Sequence, residues 1–154
     1  MKSRQLDFEA VLRPSRWVSD MQVIGAIPEF VSRQIGLGAR SVWLHQEAVA
    51  NICEQRHLTP SDAEFVLDHM PAAVLHPTFY GLDVKGGARR VHLVDFIKKA
   101  RRYLLLVLRV VTERRGEGEP KEIWVSTGYP LSDETVHRYL RRGKLKPVVW
   151  GMEA

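Results

Sequence analysis

The chain of 154 residues contains one cysteine, Cys53, which excludes an internal disulfide framework and a cysteine-rich zinc site. We expect this cysteine to pack in a helix. The sequence also lacks a phosphate-binding P-loop, a dinucleotide fingerprint and the H-E-x-x-H and G-x-S-x-G motifs. Its six histidines show no spacing typical of metal ligands, so we expect neither a metal site nor a cofactor.

Long apolar runs are missing as well. The segment YLLLVLRVV, residues 103 to 111, includes Arg109 and is far shorter than the roughly 20 apolar residues that a membrane-spanning helix needs. Its branched side chains, without Gly or Pro, predict a buried strand at Leu104–Val111. The first residues, MKSRQLDFEAVLR, carry charges throughout and do not resemble a signal peptide. We therefore expect a cytoplasmic protein without a membrane partner.

A hydrophobic content of 45% predicts one globular domain with a core of its own. In residues 1–40, Pro14, Pro28 and two glycines interrupt any long period, which predicts a helical or irregular amino-terminal extension. The folded domain is expected over residues 41–146, and residues 147–154 form a carboxy-terminal tail.

Two helices are predicted after a short strand at SVWL. The first, HQEAVANICEQR, should end near Arg56 and His57, because positive side chains suit the carboxyl end of a helix. The second begins with Thr59 as its cap, Pro60 at the first helical position and Asp62 three residues after the cap. We expect Pro71 to end it.

Four strand-like segments follow, at FYGLDV, VHLVDFI, YLLLVLRVV and EIWVSTGY. Gly86 and Gly87 allow a tight hairpin between the first two, and the polar loop ERRGEGEPK joins the last two. The segment DETVHRYLRR predicts a final amphipathic helix. The sequence thus predicts an α+β fold with a four-stranded antiparallel sheet, two helices before it and one after it.

Positive charge is concentrated in one region. The chain carries a net charge of +5, and residues 85–146 hold sixteen Lys and Arg against seven Asp and Glu. Such asymmetry favours a polyanionic partner, and interleaved tyrosines could stack on bases. The alternative is a solvated basic face without a partner. The predicted RNA-binding residues are Lys85, Arg89, Arg90, Arg102, Arg138, Arg141 and Arg142.

Residues suited to metal-independent RNA cleavage occur in three places. That reaction needs an acid and a base, cations to stabilise the phosphorane, and a positioned hydroxyl. The chain offers His57 after the first helix, a basic loop, and hydroxyl residues at the end of the last strand. Each group also has a structural alternative. His57 could cap a helix end, the basic loop could prevent an exposed sheet edge from pairing with another chain, and the hydroxyl residues could pack as ordinary strand-end residues. The catalytic candidates are His57, Lys98, Lys99, Arg101, Thr127 and Tyr129.

The order of these short motifs resembles the phage-associated branch of the barnase, EndoU, colicin and RelE-like (BECR) nuclease fold. The likeness spans Ser41–Arg142 and rests on Arg56, His57, Pro71, Pro77, Lys98, Lys99, Arg101, Ser126, Thr127 and Tyr129. The forty-residue extension departs from that pattern, and the loop has no single basic catalytic residue.

The resemblance implies a phage-borne or toxin-type ribonuclease that cleaves tRNA or mRNA by 2′-hydroxyl attack. An antitoxin or immunity protein would then be a further partner. The alternative is a non-catalytic module that binds nucleic acid or protein and keeps only the fold and its basic face.

Overall fold

The computed structural model describes residues 21–37, 41–55, 57–85, 88–112 and 120–150. Four helices and seven strands follow one another in this part of the chain. Their order is β1 (Met21–Ala26), α1 (Glu29–Ile35), β2 (Ser41–His45), α2 (Gln46–Cys53), α3 (Pro60–Leu75), β3 (Phe79–Lys85), β4 (Ala88–Ile97), β5 (Arg102–Thr112), β6 (Pro120–Leu131), α4 (Asp133–Arg141) and β7 (Lys146–Pro147).

All seven strands form one mixed sheet in the order β1-β2-β6-β5-β4-β3-β7. Strands β3 to β6 pair as antiparallel neighbours, as their hairpin sequences predict. Strand β2 instead lies parallel to β6, and β1 and β7 extend the two edges. The predicted fold class, with four antiparallel strands and three helices, was therefore wrong. Pairing of β1, β2 and β7 depends on partners distant in sequence, which local patterns do not reveal.

The buried strand predicted at Leu104–Val111 is confirmed within β5. Side chains alternate across it, with Leu104, Leu106 and Leu108 in the larger hydrophobic core. Leu105 and Val107 belong to a smaller core on the other face. Because helices cover both faces of this strand, its sequence is apolar without alternation. No helix in the described ranges is long and apolar enough to cross a membrane.

The two faces of the sheet are covered unequally. Helices α1, α2 and α3 pack on one face, which we call the three-helix face, through Val31, Ile52 and Val66 among others. The opposite face carries α4, whose Val136 packs with Leu105 and Val107. We call this opposite face the α4 face.

Helix α3 begins as predicted but does not end as predicted. The Thr59 hydroxyl accepts a hydrogen bond from the Asp62 amide at 3.0 Å, and the Asp62 carboxylate accepts one from the Thr59 amide at 3.2 Å. The helix passes through Pro71 and continues to Leu75. Buried residues before and after the exposed Pro71, including Met70, hold the last turn against the core, so packing outweighs the lost backbone hydrogen bond.

Helix α2 ends at Cys53, four residues before the expected end at His57. Cys53 is exposed in the last turn, so the expectation that it packs in a helix was wrong as to its burial. Arg56, one of the residues that carry the resemblance, lies outside the described residues. Nothing in α2 therefore places His57 at a helix end.

The first and last described segments contact each other. Strand β1 pairs with β2 across the boundary expected at residue 40. The side-chain amide of Gln34 donates a hydrogen bond to the Val149 carbonyl at 2.9 Å, and its side-chain oxygen accepts one from the Val149 amide at 2.9 Å. The indole of Trp150 donates to the Pro77 carbonyl at 2.9 Å and lies edge-on to Phe30 with ring centroids 4.8 Å apart. Residues 148–150 thereby contact α1 and the start of β3, with Val148 buried and Val149 and Trp150 still largely exposed.

Candidate active site

An open groove of about 480 Å³ lies where β6 ends and α4 begins. It collects four of the predicted site residues, from a loop, a hairpin turn and two strands. The groove is lined by His57, Leu58, Asp62, Arg101, Arg102, Tyr129, Pro130, Leu131, Ser132 and Asp133. Groups separated by more than seventy residues in sequence thus face one cavity.

His57 reaches the groove from the loop between α2 and α3. Its side chain is exposed, and its ring lies edge-on to Tyr129 with centroids 6.5 Å apart. The loop is held to the sheet by Gln55, whose side-chain amide donates to the Thr127 hydroxyl and to the Gly128 carbonyl, each at 3.1 Å. Because β2 is short, this part of β6 has a neighbouring strand only on the β5 side, and Gln55 supplies a donor for the carbonyl of Gly128 on the other side.

Arg101 closes the turn between β4 and β5 in a left-handed conformation. Its φ angle is 55°, and its amide donates to the carbonyls of Ile97 at 2.7 Å and Lys98 at 3.2 Å. Side chains other than that of glycine rarely adopt this backbone conformation, and strained residues concentrate at functional sites. The exposed guanidinium on a strained turn is consistent with a ligand-binding role.

Arg102 is engaged within the protein. Its guanidinium lies 3.0 Å from the Asp62 carboxylate and 4.9 Å from the centre of the Phe65 ring. Burial alone would raise the pKa of Asp62, but hydrogen bonds from Thr59 and the contact with Arg102 together hold that pKa below its ordinary value. Asp62 is therefore ionised at neutral pH, and the pair forms one wall of the groove.

Tyr129 contributes a protonated hydroxyl. Burial of the ring, reinforced by the neighbouring Tyr139, raises the pKa of Tyr129 above its ordinary value. The hydroxyl can then donate a hydrogen bond to a phosphate oxygen at neutral pH, but it is unsuited to act as a base.

Three catalytic candidates lie outside the groove lining. Lys98 and Lys99 are exposed in the same turn as Arg101 but do not line the groove. Thr127 lies earlier on β6, where its hydroxyl accepts the hydrogen bond from Gln55. The groove thus contains three of the six catalytic candidates: His57, Arg101 and Tyr129.

The groove also contains carboxylates that the sequence prediction missed. Asp133 is the first residue of α4, after Ser132, which caps that helix by accepting from the Thr135 amide at 3.1 Å. The helix-start signature S-D-E was visible in the sequence. What it did not show is that this helix begins beside His57.

The predicted RNA-binding residues do not share one surface. Strand alternation places Arg89 and Arg90 on opposite faces of the sheet. Arg138 lies against the Tyr139 ring at 5.8 Å, and Arg141 and Arg142 are exposed at the end of α4. The side chain of Lys85 lies outside the described part of the chain.

No family model, no curated protein and no solved structure matches this chain. The resemblance to the BECR nuclease fold therefore stays a prediction from short motifs, and the function must be argued from the groove itself.

Proposed function

We propose that the protein is a metal-independent ribonuclease that cleaves RNA in the groove between β6 and α4. The observation that carries this proposal is the meeting of His57, Arg101 and Tyr129 in one open cavity. These residues supply a group that exchanges protons, a fixed positive charge and a hydrogen-bond donor. With the carboxylate of Asp133, which also lines the groove, they make up the acid, the base, the cation and the donor that 2′-hydroxyl attack on a phosphodiester requires.

In the proposed reaction, the 2′-oxygen forms a bond to phosphorus while the bond from phosphorus to the 5′-oxygen breaks. The carboxylate of Asp133 takes the 2′-hydroxyl proton, and protonated His57 gives a proton to the departing 5′-oxygen. Arg101 stabilises the added charge on the phosphorane, and the hydroxyl of Tyr129 donates to a non-bridging oxygen. The products are a 2′,3′-cyclic phosphate and a free 5′-hydroxyl.

The division of labour between His57 and Asp133 follows from their chemistry. A carboxylate is the unprotonated group at neutral pH, and imidazole is the side chain that can be protonated there. Asp62 also lines the groove, but its ion pair with Arg102 leaves it poorly placed to accept a proton. A toxin-type role, with an antitoxin or immunity protein that covers the groove, is part of the same proposal.

Cleavage of a labelled single-stranded RNA tests the proposal. His57→Ala should reduce the rate by about a hundredfold or more, because one acid–base group is lost. His137→Ala is the matched control, since this exposed histidine on α4 does not line the groove and its loss should leave the rate unchanged. RNA binding without cleavage by the parent protein would instead support the non-catalytic module.

A further inference from the structure

A second concave surface lies between the start of α2 and the neighbouring strands β5 and β6. It has a volume of about 420 Å³, and we call it the tryptophan pocket. Its lining combines an aromatic pair, an arginine and hydrogen-bonding side chains. The lining residues are His45, Glu47, Ala48, Asn51, Arg109, Trp124, Val125 and Ser126.

The aromatic pair is built by the parallel contact between β2 and β6. These strands pair at Val42 with Ile123 and at Trp43 with Trp124, and β2 ends two residues later. The imidazole of His45 then stacks on the Trp124 indole, with centroids 4.6 Å apart and ring planes 19° apart. Both rings are only partly buried. They present a flat aromatic surface at the pocket.

One arginine, Arg109, lines the pocket, and a second, Arg90, lies behind it on the next strand. Arg109 on β5 is exposed and pairs in register with Trp124 on one side and with Arg90 of β4 on the other. Arg90 donates to the Ser126 hydroxyl at 3.3 Å. Its Nε atom is buried and has no hydrogen-bond partner among the residues that the structure describes.

Aromatic surface beside paired cations matches one ligand chemistry. Bases of single-stranded nucleic acid stack on aromatic rings, and the adjoining phosphates bind arginine. The carboxylate of Glu47 and the amide of Asn51 add an acceptor and a two-sided hydrogen-bonding group for the edge of a base. A duplex fits poorly, because its bases are stacked inside the helix and cannot reach the pocket.

We infer that the tryptophan pocket binds a base and a neighbouring phosphate of single-stranded RNA. The identity of the ligand as RNA rests on the proposed function. Strand β6 connects the two sites, since Trp124 and Tyr129 are five residues apart, or about 17 Å along an extended strand. A strand cleaved in the groove can therefore continue to the pocket, which would make the pocket a substrate-binding subsite away from the cleaved bond.

The test measures binding of fluorescently labelled oligouridylate by anisotropy, in a His57→Ala background that suppresses cleavage. Arg109→Gln should weaken binding about tenfold and flatten the logarithmic salt dependence by about one unit. Trp124→Leu should weaken binding about tenfold or more, whereas Trp124→Phe should retain most of it. Arg33→Gln is the matched control, because Arg33 is an exposed arginine on α1, which packs on the three-helix face away from the pocket.

The outcomes separate the two proposals. Equal losses in Arg109→Gln and Arg33→Gln, or equally tight binding of duplex RNA, would overturn the pocket as a single-strand subsite. Efficient cleavage with unchanged affinity in Arg109→Gln would overturn the pocket and leave the groove intact. Binding that depends on Arg109 and Trp124, in a parent protein that cleaves no RNA, would support the pocket and overturn the ribonuclease. Because Arg109 is exposed, its variant tests the pocket even where Trp124→Leu fails to fold.

Discussion

Replacement of Arg101 by glycine should make the protein more stable and less active. Arg101 is the only non-glycine residue with a positive φ angle in the described part of the chain. The left-handed conformation costs a residue with a side chain about 1–2 kcal/mol, and glycine adopts it freely. Glycine also loses about 0.5–1 kcal/mol more on folding because its unfolded chain is freer. The free energy of unfolding should therefore rise by about 0.5–1 kcal/mol.

The activity of the same variant should fall. The Arg101 side chain is exposed, and no ion pair or hydrogen bond of its guanidinium is seen among the described residues, so its loss should cost little stability. If its charge stabilises the phosphorane, removal should reduce cleavage about a hundredfold, as for other groups that stabilise a transition-state charge. A variant that is more stable but less active would show that the strained backbone at Arg101 serves function and not stability.

Thermal denaturation followed by circular dichroism measures the first effect, and the initial rate of RNA cleavage measures the second. A gain of 1 kcal/mol raises the melting temperature of a domain of this size by about 2–4 °C. Arg101→Asn is the control, because asparagine tolerates the left-handed conformation but carries no charge. A lower melting temperature in the glycine variant would show that the arginine side chain holds the turn, and unchanged cleavage would remove Arg101 from the mechanism.

Two further predictions concern Gln55, which holds the His57 loop, and Asp95 on β4, which lies away from the groove. Gln55→Ala removes two hydrogen bonds to β6, so the free energy of unfolding, measured by urea titration, should fall by about 1–3 kcal/mol. Cleavage should fall as well, because the loop that carries His57 is no longer held to the sheet. Full activity would contradict this. Burial raises the pKa of Asp95, although a hydrogen bond from Thr78 opposes the shift. The folded state then binds this proton more tightly than the unfolded state, so stability falls as pH rises from below the ordinary aspartate pKa through the raised value. Asp95→Asn should melt higher than the parent at neutral pH and equally at acidic pH, and a lower melting temperature at neutral pH would refute the assignment.

Local signals in the sequence predicted the elements that depend on near neighbours. The uninterrupted apolar run marked Leu104–Val111, and the cap at Thr59 marked the start of α3. The edge strands were missed because β1 contains Gly25 and β7 is two residues long, so neither carries a clear alternation. The end predicted at Pro71 was wrong because burial of the following turn outweighed proline's intrinsic preference.

The site was predictable only in part, for the same physical reason. His57, Arg101 and Tyr129 were visible as chemically suitable residues near predicted element ends. The tryptophan pocket was not visible in the sequence, because it depends on the parallel pairing of β2 with β6. The role of Gln55 was not visible either, because it bonds the part of β6 that lies beyond the end of β2. Residue type can be recognised in a sequence, whereas proximity across a sheet requires the register.

The chemical form of the cleaved ends tests the central claim most directly. Parent protein should be incubated with a single-stranded RNA in the presence of a chelator, and the fragments analysed by mass spectrometry. We expect cleavage that survives the chelator, a 2′,3′-cyclic phosphate on the upstream fragment, and no cleavage where the 2′-hydroxyl is replaced by hydrogen. Cleavage that stops with the chelator, or that proceeds equally on the 2′-deoxy strand, would contradict it.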